Sequence, residues 1–135
     1  MRSLAALCLM VLVLVGCGAA PRDSAKAFKG DERTVADVVE RLEKAARDDD
    51  PGLVCKSLFS AKLLTALQKQ GTNCNTGVRE AFKDADSLDL TVDDVKITGA
   101  TATAAVKYSS RSSEKTTSLS LDRDGSAWKL TSLGS

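Results

Sequence analysis

At about Ser87 the apolar residues stop recurring at helical spacing and begin to alternate, and that single change limits the folds open to this chain. Before it, apolar side chains fall at i, i+3, i+4 and i+7, the signature of one buried helix face. After it, apolar and polar residues alternate, the signature of strands with one face buried. Helices first and consecutive strands afterwards predict an α+β domain, with three N-terminal helical segments packed on an antiparallel sheet of four or five strands.

The first helix is expected from about Glu32 to Arg47, with Val35, Val38, Val39, Leu42, Ala45 and Ala46 on its inner face. Asp31 or Thr34 would cap it, and Glu40–Lys44 would pair on the outer face. Asp48-Asp49-Asp50-Pro51 reads as a stop and restart, with Asp50 an N-cap and Pro51 at the first helical position. Leu53, Val54, Leu58 and Phe59 follow. Ser60 is a second N-cap, opening Ala61–Gln70, and Gly71 ends that helix. Cys74 opens the next segment, which carries Val78, Ala81, Phe82 and Ala85 inward.

In the second half, Leu88, Leu90 and Val92 alternate, and so do Val95 and Ile97 after Asp93-Asp94, where a bulge or a turn must intervene. Gly99 turns the chain into a strand carrying Ala102, Ala104, Val106 and Tyr108 on one face. Ser109–Ser113 is a polar hairpin tip. Thr117, Leu119 and Leu121 alternate next. Asp122-Arg123-Asp124-Gly125 is a turn, and Trp128 and Leu130 begin the last strand.

The N-terminus has a different character. After Met1-Arg2, Leu4 to Val15 is an apolar run of about a dozen residues, shorter than the roughly 20 that span a bilayer and suited to a signal h-region. Leu14-Val15-Gly16-Cys17 closes it and resembles the lipobox of a bacterial lipoprotein. The resemblance implies a signal peptide over residues 1–16 and acylation of Cys17. The small, polar segment that follows, with Pro21 and Lys26, reads as a lipidated N-terminus and flexible tether over residues 17–31, and the remaining length suits a single domain over residues 32–135. More than one acyl chain gives a stable anchor, so the expected location is extracytoplasmic, held to a bacterial membrane by lipid. Ordinary secretion with cleavage near Gly18-Ala19-Ala20 is the alternative.

Cysteine use agrees with export. With Cys8 removed in the signal peptide and Cys17 lipidated, Cys55 and Cys74 are left as a pair, and a pair in an oxidising compartment reads as a disulfide. Two free buried thiols are the alternative. A metal site is not expected, since two thiolates would need carboxylates to complete it. The Asp runs lack the spacing of a calcium loop. No cofactor is expected.

Composition excludes several functions. The chain has 19 Lys and Arg against 18 Asp and Glu, and removing the signal peptide takes Arg2 with it. A balanced, mixed-sign surface gives no electrostatic case for nucleic acid. There is no histidine, which removes the usual general base and the usual zinc ligand together.

The whole pattern resembles small exported lipoproteins of the nuclear-transport-factor-2-like, or ketosteroid-isomerase-like, superfamily. The residues that carry the likeness are the helix ending in an Asp-rich turn, the cysteine pair, Val95-Lys96-Ile97-Thr98-Gly99 running into Ala100–Tyr108, and Asp124-Gly125-Ser126-Ala127-Trp128-Lys129-Leu130. The resemblance implies a cone: helices wrapped by a curved sheet, with a cavity at the open end. Tyr108, Trp128 and Phe82 are candidates to line it. Enzymes of that superfamily use a buried Asp, His or Tyr facing the cone. Tyr108 is the one tyrosine here, and packing or rim duty explains it. No catalytic residue is assigned. The expected function is therefore non-enzymatic binding of a protein partner or a small apolar ligand by a membrane-anchored domain. The rival expectations are an accessory subunit of an envelope complex and an isomerase- or hydrolase-like enzyme.

Overall fold

The structure, a computed structural model, describes residues 23–83, 88–110 and 113–134. The expected signal peptide and Cys17 lie outside the described residues. A short 3-10 turn, Ser24–Ala27, precedes α1, Gly30–Arg47. Next come α2, an α-turn over Pro51–Leu53 that continues as a π-turn over Val54–Leu58, then α3, Ala61–Lys69, and α4, Cys74–Lys83. The strands are β1, Asp89–Thr98; β2, Thr101–Ser110; β3, Ser113–Asp124; and β4, Ala127–Ser132. They form one antiparallel sheet in the order β1-β2-β3-β4. The expected α+β class is what the chain adopts. The described residues form four helices, one more than the three segments expected, and the stretch between Pro51 and Gln70 divides at the Ser60 cap that the sequence marks.

That break has a physical cause. Phe59 leaves the helix in an extended conformation and bridges to Leu130 of β4, and the Ser60 N–H donates to the Leu130 carbonyl at 2.9 Å. Ser60 Oγ then accepts from the Leu63 N–H at 3.1 Å and caps α3. Asp50 Oδ1 caps α2 in the same way, accepting from Leu53 at 2.9 Å. Helix α3 ends where Gly71 takes φ +75°. Its N–H reaches the Gln68 carbonyl while the Thr72 N–H reaches that of Leu67, the crossed pair that satisfies the last carbonyls of a helix.

Helix α1 lays Val35, Val38, Val39 and Ala45 against the sheet, all buried, with Leu42 and Ala46 half-buried. It starts at Gly30, and its cap position, Lys29, makes no side-chain cap bond. Asp31 instead pairs with Arg123 of β3, and Thr34 bonds back to the Gly30 carbonyl. Glu40 and Lys44 part company as well: Glu40 accepts from the Ala25 N–H at 2.7 Å, and Lys44 pairs with Asp48.

Opposite α1 the sheet presents Ala102 and Ala104, both buried, beside Leu90, Val92, Val95, Val106, Leu119, Leu121 and Leu130. The short alanine side chains leave room for the helix to come close. The phase slip at Asp93-Asp94 is a bulge, not a turn: pairing shifts between Val92 and Asp94. The extra residue lets Val92 and Val95, three positions apart, face the same core. Gly125, at φ +64°, opens the two-residue loop between paired Asp124 and Ala127, a position that favours glycine.

Part of the segment expected as tether packs on the domain. Ala25 is fully buried, Phe28 is half-buried against the core, and the Val92 N–H of β1 donates to Ser24 Oγ at 3.2 Å. Residues 24–28 therefore belong to the domain.

Candidate functional site

Helix α4 buries little of itself; Val78 is its one fully buried residue. A disulfide joins its first residue, Cys74, to Cys55 of α2, with the Cα atoms 6.1 Å apart. The expected cysteine pairing is thus formed, and it ties α4 to the rest of the domain. The far half of α4 overhangs the sheet and leaves a gap.

That gap is a cavity of about 230 Å³. Leu42 of α1, Ala81 and Phe82 of α4, and Leu88 ahead of β1 form one side. Leu90, Val106, Tyr108, Thr117 and Leu119 form the sheet side, and Leu133 stands at the rim. The lining is apolar apart from the Tyr108 and Thr117 hydroxyls. Leu133 is 49% exposed, the large hydrophobic side chain left in solvent among the described residues.

The structure brings Phe82 and Tyr108 to this cavity as the sequence suggested. Trp128 is not there. It is 2% exposed and sits at the opposite end of the same sheet face, paired with Arg123 across the β3–β4 hairpin. Alternation had placed Trp128 on the correct face. Distance along the sheet, which alternation does not report, keeps it from the cavity.

Glu43 was missed by sequence reasoning. It is 4% exposed on the inner side of α1, and its carboxylate takes a hydrogen bond from Arg47, one turn on, at 2.5 Å. Burial pushes its pKa above the ordinary carboxylate value. The Arg47 guanidinium works against that rise, Asp89 adds to it, the Leu90 backbone amide opposes it, and Glu40 adds slightly. The signal for Glu43 was present, since it lies four residues beyond Val39 and eight beyond Val35, on the inward row. Its side chain is not part of the cavity lining.

Chemically, the cavity can hold apolar matter. The Tyr108 hydroxyl forms no hydrogen bond with any described residue. Among the described residues no cluster of three His, Cys, Asp or Glu comes together.

No protein-family model and no curated protein matches the chain. Among solved structures it is similar to a de novo designed NTF2 fold protein, NT-9. The two are 13% identical, with a TM-score of 0.47, over 73% of this chain and 78% of that one. At that level of likeness the fold class rests on this chain's own helix order and sheet topology.

Proposed function

We propose that the chain is a lipid-anchored protein of the bacterial envelope whose domain holds a small apolar ligand without transforming it. The observation that carries this reading is the apolar cavity between α4 and the sheet. Its volume of about 230 Å³ exceeds the roughly 150 Å³ of an engineered apolar cavity that takes benzene. It falls just under the about 300–1,000 Å³ of drug-sized sites. That size suits one short alkyl chain or a small hydrocarbon.

Two features support export and anchoring: the Leu14–Cys17 lipobox likeness and a disulfide of the kind that persists in oxidising compartments. Among the described residues no helix is long and apolar enough to cross a membrane. The non-enzymatic part is supported by the sequence's lack of histidine and by the engagement of Glu43 with Arg47. An accessory subunit would be expected to show a broad exposed apolar patch; the described residues offer Leu133, which favours the ligand reading.

Two measurements test the proposal. Mass spectrometry of the mature N-terminus from a bacterial host should find an acylated Cys17; a free N-terminus at Ala19 or beyond ends the anchoring claim. The uncharged fluorophore N-phenyl-1-naphthylamine should brighten on binding the wild-type chain. Ala81→Phe, which fills the cavity from α4, should remove that signal while leaving the circular dichroism spectrum intact. Equal brightening of both proteins would discard the cavity as a binding site.

A further inference from the structure

The apolar cavity has a cation beside its rim. Lys115 of β3 is the direct cross-strand partner of Tyr108 of β2. Directly opposed residues of an antiparallel pair share a face, with Cβ atoms about 4.5–5.5 Å apart. Tyr108 faces the cavity, so Lys115 emerges on the same side, one step beyond the wall. Alternation along β3 agrees: Thr117 and Leu119 line the cavity, and Lys115 continues their row.

Lys115 is exposed and forms no hydrogen bond or ion pair with any described residue. Its neighbours differ. Lys83, next to Phe82, is paired with Glu80 at 2.7 Å, and Lys107, on the opposite sheet face, with Asp93 at 3.0 Å. The sheet end thus offers an apolar pocket and, among the described residues, a phenol hydroxyl and an ammonium with no hydrogen-bond or ion-pair partner. A lysine is a compact point charge with three donors, and the phenol is a fourth donor. Together they suit a small anionic group with oxygen acceptors.

Resting on the apolar-ligand reading above, we propose that the cavity binds a fatty-acid-like carboxylate. The alkyl chain lies among Phe82, Leu90, Val106 and Leu119, and the carboxylate lies at the rim between the Tyr108 hydroxyl and the Lys115 ammonium. Charge complementarity at Lys115 selects this amphipathic anion over a neutral hydrocarbon. Tyr108 is the hinge of the arrangement, because its ring belongs to the apolar wall and its hydroxyl to the polar rim.

The test is competition against N-phenyl-1-naphthylamine in the full chain, with dodecanoate and dodecanol run in parallel. Dodecanoate should displace the probe at lower concentration than dodecanol. Lys115→Met keeps the stem and removes the charge. It should weaken dodecanoate about threefold to fivefold, the scale of one exposed ion pair, and leave dodecanol unchanged. Lys115→Glu should weaken dodecanoate further. Thr117→Phe, a second cavity-filling variant beside Ala81→Phe, should abolish competition by both. If Lys115→Met leaves the dodecanoate titration unchanged, the carboxylate assignment is overturned while the apolar-ligand reading stands. If the probe competes with neither compound and ignores both filling variants, the apolar-ligand reading itself falls. Release of the probe by phosphatidylglycerol vesicles with no response to dodecanoate overturns the assignment in favour of a lipid surface.

Discussion

The guanidinium carbon of Arg123 sits 4.7 Å from the centroid of the Trp128 ring. The two residues are partners across the β3–β4 ladder, and Arg123 also pairs with Asp31 in the first turn of α1. The indole, 2% exposed, is thus covered by a cation that is itself tethered to a helix. This group closes the end of the domain opposite the cavity, and it makes Trp128 a structural residue.

Trp128→Ala should therefore cost about 3–5 kcal/mol, the usual loss for truncating a large core aromatic. Arg123→Ala should cost less, on the order of 0.5–1 kcal/mol for an exposed cation over a ring. Urea denaturation at fixed pH measures both. Tyr108→Phe, which keeps the ring at the cavity wall, should melt within a degree or two of wild type. A Trp128→Ala variant as stable as wild type would contradict the burial described.

Replacing both Cys55 and Cys74 by serine should destabilise the chain by roughly 3 kcal/mol, the loop-entropy effect of a cross-link of this span. The sequence separation is 19. Non-reducing peptide mapping of exported protein should join the two cysteine peptides. Because α4 carries Ala81 and Phe82, the same double variant should also bind N-phenyl-1-naphthylamine more weakly. Both thiols alkylating without prior reduction would refute the bond.

Ser24→Ala should lower stability by about 1 kcal/mol, because the Val92 amide of β1 loses its acceptor. Ser24→Thr, which keeps a hydroxyl, should recover most of the loss. Thermal melts of the pair separate the hydrogen bond from general damage to the N-terminal turn.

The pH dependence of stability should carry a mark of Glu43. Its pKa in the folded state is raised, chiefly by burial, so the folded protein holds that proton more tightly than the unfolded chain does. The stabilising contribution is present in full below the unfolded value and is lost as pH rises through the folded one. Glu43→Gln cannot titrate. The stability of Glu43→Gln relative to wild type should therefore increase from about pH 4 upward, until the wild-type carboxyl is ionised. Melting curves at half-unit pH steps check the sign; a decreasing difference would mean that Arg47 outweighs burial.

Much of this architecture was legible because local signals and the global fold agree. The Asp50 and Ser60 caps, the stop at Gly71 and the inward rows of α1 and β2 were all readable from spacing. The bulge at Asp93 was visible as a slip in alternation, although a turn would have produced the same slip. Contacts set by tertiary placement were not legible. Ser24 on β1, Asp31 on Arg123 and Phe59 on β4 join residues far apart in sequence, and no periodicity encodes them. The cavity was half readable: strand phase gave Tyr108 its face, but the register that sets Lys115 beside it depends on how the β2–β3 hairpin closes.

The two ends of the sheet are guarded by the chain itself. A foreign strand laid along β4 would have to displace the bond from Ser60 to Leu130. One laid along β1 would have to expel Ser24 from Val92 and follow the kink at Asp93. Bulges and covering segments of this kind discourage strand-to-strand assembly. Self-association by sheet extension, the common hazard of a small antiparallel domain, is thereby disfavoured along both edge strands.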